Sequence, residues 1–189
     1  SISFAPETDS EAAQWLSDDT RHMLAELTPK PDQVTIAINT NQMNICELLT
    51  ADDVENTSLA QPAYQKAYRE MTIPSGPEFV EEHLRRLQAQ GIQPLFMLGD
   101  VGQLESVERL IRRGIYTGPL TMNWAAIGGG MDGPNPYNLM EFIRRVPDGA
   151  TLTLESIMRN VLPINTMALA MGLHPRCGPR ALEIGYWIA

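Results

Sequence analysis

Short apolar runs alternate along this chain with longer stretches whose apolar residues recur every three or four positions. The runs at 34–38, 92–98, 120–127 and 151–154 are rich in branched and large apolar side chains, which reads as buried strands. A short apolar segment at 2–4 and a final strand carrying Arg176 and Cys177 bring the expected strands to six. Helical periodicity fills the intervals. Ser10 suits the cap of a helix bearing Ala13, Leu16, Met23, Leu24 and Leu27, which Pro29 and Pro31 end. Residues 64–71 read as a further helix. Gly76-Pro77 opens the clearest one, with Glu78, Glu81 and Glu82 toward the positive end of its dipole. Phe79, Val80, His83, Leu84 and Leu87 share one face of it, and Gly91 stops it. Leu104, Val107, Leu110 and Ile111 mark a helix ending at Gly114. Asn135-Pro136 caps another that carries Leu139, Phe142 and Ile143, and a last helix over 162–171 ends at Gly172.

Strand and helix thus alternate about every 25–30 residues without an internal sequence repeat, the mark of consecutive βαβ units on a parallel sheet. Strands so uniformly apolar are expected to be buried on both faces. The expected fold class is α/β, a TIM (β/α)8-type barrel that is incomplete. A closed barrel has eight βα units in about 250 residues, and this chain of 189 supplies about six, with two lacking at the start. The expected organisation is a partial barrel over 1–178 and a divergent tail over 179–189. An open barrel exposes two sheet edges, so association into a homo-oligomer is expected.

A net charge of -9 argues against nucleic acid or an anionic membrane surface as partner. No apolar run is long enough to span a bilayer, and the first residues show no basic segment ahead of an apolar core. Cys46 and Cys177 are far apart and read as buried free thiols of a reducing, cytoplasmic protein. His22 and His83 lie in helices and are expected to be partly buried or at the surface, whereas His174 stands alone near a strand. The chain has no His-x-His, no Cys-x-x-Cys, no nucleophile elbow and no phosphate-binding Gly-Lys-Ser/Thr.

In parallel α/β folds the site lies at the carboxyl ends of the strands. The polar residues there are Ser3, Asn39, Thr40, Asp100, Asn123, Glu155 and Arg176. Ser3 and Thr40 also fit local turns, and Asp100 also fits a helix cap. Asn123 stands inside an apolar strand, where a buried amide needs partners. Arg176 suits a bidentate clamp on a carboxylate; its alternative is an ion pair to Glu155 or Asp100. The strand over 120–127 opens into Gly128-Gly129-Gly130-Met131-Asp132-Gly133, either a tight turn or a loop shaped for close approach of a ligand.

Three stretches carry a family resemblance. One is Gly91-Ile92-Gln93-Pro94 with its strand, Asp100 and the helix to Gly114; the second is 119–135. The third runs from Leu154-Glu155-Ser156-Ile157-Met158-Arg159 through the helix to Gly172 and His174-x-Arg176-Cys177-Gly178. In this order they resemble the β-keto acid cleavage enzymes, the family that includes 3-keto-5-aminohexanoate cleavage enzyme. The resemblance implies a TIM barrel that uses a divalent metal, usually zinc (Zn2+), as a Lewis acid on the substrate carbonyl. A β-keto acid and acetyl-CoA would give acetoacetate and a new CoA thioester. It implies that Arg176 is the catalytic residue engaging substrate, that Thr40 contacts substrate, and that Ser3 matches another contact. Asn123, Glu155 and Asp100 complete the expected substrate-binding set, and Gly128, Gly129 and Gly130 are expected to line the mouth where the CoA arm enters.

The departures are specific. The family's His-x-His after its second strand is missing, as expected of a chain that starts at the third strand. The family's Gly-apolar-Glu-Asp-Asn run after the arginine is replaced by Gly178-Pro179-Arg180-Ala181-Leu182-Glu183, and Met97 stands where the family often has a Glu. The chain itself is therefore expected to contribute no metal ligand, to bind zinc weakly and to be inactive. The alternative is a non-catalytic, barrel-derived binding or assembly module, in which the strand-end polar residues would scatter rather than converge. A different carboxylate-binding TIM-barrel lyase is a third reading.

Overall fold

The computed structural model describes residues 21–38, 50–57, 60–62, 66, 75–126, 132–156 and 162–176. Five strands form one parallel sheet: β1 Gln33–Ala37, β2 Gln93–Leu98, β3 Thr121–Ala126, β4 Thr151–Ser156 and β5 His174–Pro175. Their spatial order is their chain order. The helices are α1 Ala51–Val54, α2 Pro77–Ala89, α3 Gln103–Arg112, α4 Pro136–Arg145 and α5 Leu162–Ala170, with a 3-10 turn at Met23–Glu26. Each of α2, α3, α4 and α5 precedes the next strand, as the periodicity predicts. The expected strand at 2–4, most of the helices expected at 10–27 and 64–71, and the tail 179–189 lie outside the described residues.

Local chemistry accounts for the boundaries. Pro77 takes the first turn of α2, where its missing N–H costs nothing. The Asn135 side chain accepts the N–H of Tyr137 at 2.8 Å and caps α4. Gly91 and Gly114 follow α2 and α3 with φ of 63° and 70°, a conformation that favours glycine.

Alternate strand positions face alternate sides, and the two sides differ. Ile36, Phe96, Leu98, Met122, Trp124, Leu152 and Leu154 form one face and are almost fully buried. They pack with Val80 and Leu84 of α2, Leu104 and Val107 of α3, Leu139 and Phe142 of α4, and Ile164 and Ala168 of α5. Trp124 stacks on Phe142 with ring centroids 5.3 Å apart. All four long helices therefore cover the same side of the sheet. The other face carries Thr35, Ala37, Leu95, Met97, Thr121 and Thr153, which are half-buried or exposed. The expectation of strands buried on both faces is corrected. Only β3 is buried through both faces over most of its length, because among the described residues the helices lie on one side alone. Sequential strand order with helices on one side is the arrangement of a barrel wall rather than a doubly wound sheet, whose order reverses and whose helices cover both sides. Closure into a barrel is not displayed by these five strands.

No helix among the described residues is long and apolar enough to cross a membrane. His22 and His83, expected at partly buried or surface positions, are instead buried at 4% and 2% exposure. Their Nδ1 atoms are 3.1 Å apart, so one ring donates and the other accepts. Phe79 stacks on His22 at 4.5 Å, and the Arg21 guanidinium lies 3.7 Å from the Phe79 centroid. Burial, helped by the neighbouring His22, Arg21 and Arg86, holds the His83 imidazole down to about 4.

A depressed histidine binds its proton more readily in the unfolded chain, so acid favours unfolding. Stability is expected to fall as pH drops from about 6.5 toward about 4, and to lose no more on this account below that. Urea denaturation across that range checks it; His83→Asn is expected to flatten the slope.

Candidate functional site

Three of the polar residues singled out from the sequence meet, one from the middle of β3 and two from the carboxyl ends of β4 and β5. Register sets Asn123 opposite Thr153 and Ala125 opposite Glu155, so Asn123, Thr153 and Glu155 project to the sheet face that the helices leave uncovered. Beyond β5 the Arg176 N–H continues the ladder by donating to the Leu154 carbonyl at 2.7 Å, which brings its side chain alongside Glu155.

The Glu155 carboxylate is the centre. Its Oε1 accepts from Asn123 Nδ2 at 3.0 Å and its Oε2 accepts from Arg176 Nη1 at 2.9 Å. Thr153 Oγ1 lies 2.8 Å from Asn123 Oδ1 and 3.1 Å from the Met122 carbonyl. The Glu155 side chain is 7% exposed and that of Arg176 is 48% exposed. A buried anion is thus neutralised by a cation that is itself half exposed. That geometry suits a second carboxylate arriving from solvent. The ion pair to Glu155, weighed as the alternative role for Arg176, is present; with the guanidinium half exposed, it positions the arginine without consuming it.

Asp100 does not join this cluster. Its Oδ1 accepts the Gln103 N–H at 3.1 Å at the start of α3, the capping role weighed for it. Gln103 reaches back to accept the Gly99 N–H at 2.7 Å. Asp132, at the end of the glycine-rich loop, donates its N–H to the Gly99 carbonyl at 2.8 Å and accepts the Val101 N–H through Oδ2 at 3.3 Å. Burial pushes the Asp132 carboxyl above its ordinary value, the charge of Asp100 adds to this, and the Val101 N–H opposes it. The far end of the loop is therefore tied to the end of β2. Met97 stands opposite Asn123 in the register, so a thioether lies beside the amide on the face that the helices leave uncovered.

Ser3, Thr40, Gly128, Gly129, Gly130, Cys46 and Cys177 lie outside the described residues. Thr153 and Asp132 were missed from sequence as contributors. Thr153 was findable, because Thr151-x-Thr153-x-Glu155 alternates onto the face of Glu155; Asp132 has no such local signal. Among the described residues no group of three His, Cys, Asp or Glu side chains comes together to hold a metal ion. Both Glu155 oxygens are engaged, and Asp100 and Asp132 bond to backbone N–H groups. The described residues do not fit the divalent metal that the resemblance implies.

A family model described as beta-keto acid cleavage enzyme matches residues 7–180. No curated protein matches the chain.

The unequal burial of the ion pair predicts unequal mutants. Arg176→Ala strands a buried carboxylate and is expected to cost about 3 kcal/mol. Glu155→Gln leaves a cation that water can reach and is expected to cost about 1 kcal/mol. Chemical denaturation of both variants at neutral pH checks the order.

Proposed function

The chain belongs to the beta-keto acid cleavage enzyme family, and from that premise we propose that the cluster of Asn123, Glu155 and Arg176 receives the carboxylate of a β-keto acid. The observation that carries this reading is Arg176, half exposed and braced by a buried Glu155 whose other oxygen is held by Asn123. Arg176 binds the incoming carboxylate through two parallel N–H donors. Glu155 fixes the guanidinium plane and balances its charge, so that the arginine is pre-positioned before substrate arrives. Asn123 keeps Glu155 from rotating to take Arg176 with both oxygens.

The second substrate in this reading is acetyl-CoA, with Gly128, Gly129 and Gly130 lining its approach. The products are acetoacetate and a new acyl-CoA. In this reading the parent enzyme acts on these small molecules in the cytoplasm as a homo-oligomer. Thr40 and Ser3 contribute further substrate contacts, and Asp100 supports the rim through its helix cap. Convergence of Thr40, Asn123, Glu155 and Arg176 would favour the enzyme lineage over a non-catalytic binding or assembly module; the three of them that are described gather around the Glu155 carboxylate, which supports that lineage.

The 189-residue chain by itself binds substrate without turning it over. It has no His-x-His, and Pro179-Arg180-Ala181 follows Gly178 where the family runs to Glu-Asp-Asn. Calorimetry with acetoacetate is expected to give saturable binding that Arg176→Leu weakens by at least about tenfold, or about 1.4 kcal/mol. Acetoacetate release from β-keto acids and acetyl-CoA is expected to be undetectable, with zinc well below one per chain. Unchanged binding in the variant would overturn the clamp, and stoichiometric zinc with turnover would overturn the inactivity.

A further inference from the structure

No hydrogen bond among the described residues joins Thr153 to Glu155 or Arg176, yet Thr153 begins a chain of hydrogen bonds that ends on the Glu155 carboxylate, into which Arg176 donates from the other side. Thr153 Oγ1 lies 2.8 Å from Asn123 Oδ1, Asn123 Nδ2 donates to Glu155 Oε1 at 3.0 Å, and Arg176 meets Glu155 Oε2. Asn123 is 1% exposed, so water does not substitute for either partner of its amide. A carboxylate accepts only, which requires the NH2 end of Asn123 to face Glu155 and leaves Oδ1 needing a donor. The Thr153 hydroxyl supplies it: its single proton has Asn123 Oδ1 at 2.8 Å and the Met122 carbonyl at 3.1 Å, and the shorter contact is the one to the amide. We propose that Thr153 is a positioning residue of the carboxylate-binding site, acting through the Asn123 amide and Glu155 to hold Arg176 in its half-exposed pose.

Without the hydroxyl, a buried Oδ1 loses its donor, and the amide gains by turning away from the register that serves Glu155. Glu155 then has an unbonded Oε1 and rotates to engage Arg176 with both oxygens, drawing the guanidinium from the face that receives substrate. The effect falls on ligand affinity, through two intermediates, rather than on any contact of Thr153 with ligand. The inference rests on the reading of Arg176 as a carboxylate clamp, and its test separates the two.

Acetoacetate is titrated calorimetrically into the wild-type chain, Thr153→Val and Thr153→Ser, and the Asn123 side-chain amide is followed by proton–nitrogen NMR in all three. Thr153→Val keeps the shape and removes the hydroxyl; Thr153→Ser keeps the hydroxyl and removes a methyl. The expected result is about tenfold weaker binding in Thr153→Val and recovery to within about twofold in Thr153→Ser. The two Asn123 amide protons are expected to be sharp and well separated in wild type and Thr153→Ser, and exchange-broadened in Thr153→Val. An unchanged amide in Thr153→Val, or equal loss of binding in both variants, overturns the proposal. If wild type binds no acetoacetate, the clamp reading falls and the amide signals still decide the role of Thr153. If Thr153→Val does not fold, Thr153→Ala is read in its place against the same signals.

Discussion

The burial of one sheet face under four helices is the constraint on which everything else hangs. Phe96, Met122, Trp124 and Leu154 are all fully buried there, against Leu84, Val107, Leu139, Phe142 and Ala168. Burial of large side chains contributes about 1.5–3 kcal/mol each, far more than any of the exposed Glu–Arg pairs on α2, α3 and α4. Because a strand's side chains alternate, fixing one face fixes the other. A register slip of one residue would bury Asn123 and Glu155 among the helices and turn Trp124 and Leu154 outward. The apolar face thus dictates where the polar residues point, although it never touches them.

What those residues do once there follows from desolvation. Glu155 is removed from water on the inner face, and a buried carboxylate persists as an anion only with charge and donors supplied. Arg176 brings the charge and Asn123 the donor, each on its own oxygen. The same need propagates to Thr153, since a buried amide that gives its NH2 to a carboxylate needs a donor for its oxygen. Among the described residues the site is a sequence of satisfied obligations ending at a half-exposed guanidinium. On the outer surface, the clefts beside α2 and α3 are lined by paired Glu and Arg side chains, which present no comparable unmet donor set.

Much of this was written along the chain. The runs at 34–38, 92–98, 120–127 and 151–154 hold the strands Gln33–Ala37, Gln93–Leu98, Thr121–Ala126 and Thr151–Ser156, because a buried strand and its apolar run are the same fact seen twice. Gly76-Pro77, Asn135-Pro136 and Gly91, Gly114 and Gly172 marked boundaries because caps act over one turn and need only near neighbours. Asn123 stood out as an amide inside an apolar strand, Glu155 and Arg176 as charges at strand ends, and Asp100 was readable as a cap. The inner face was not readable: Leu95 and Met97 continue an apolar run, and an apolar run does not tell whether a second layer covers it.

The sequence by itself determined strands β1 to β4, helices α2 to α5, their order, the parallel sheet they imply and the polar residues toward its carboxyl ends, while α1 at Ala51–Val54 carried no readable pattern. Each of these depends on spacings of a few residues. The tertiary structure alone decided the pairings: Asn123 to Glu155 across 32 positions, Glu155 to Arg176 across 21, and the buried meeting of His22 with His83 across 61. It also decided that Asp100 turns to its own helix while Arg176 turns to Glu155. Such choices follow from strand register and helix packing, which bring together side chains that no local periodicity relates.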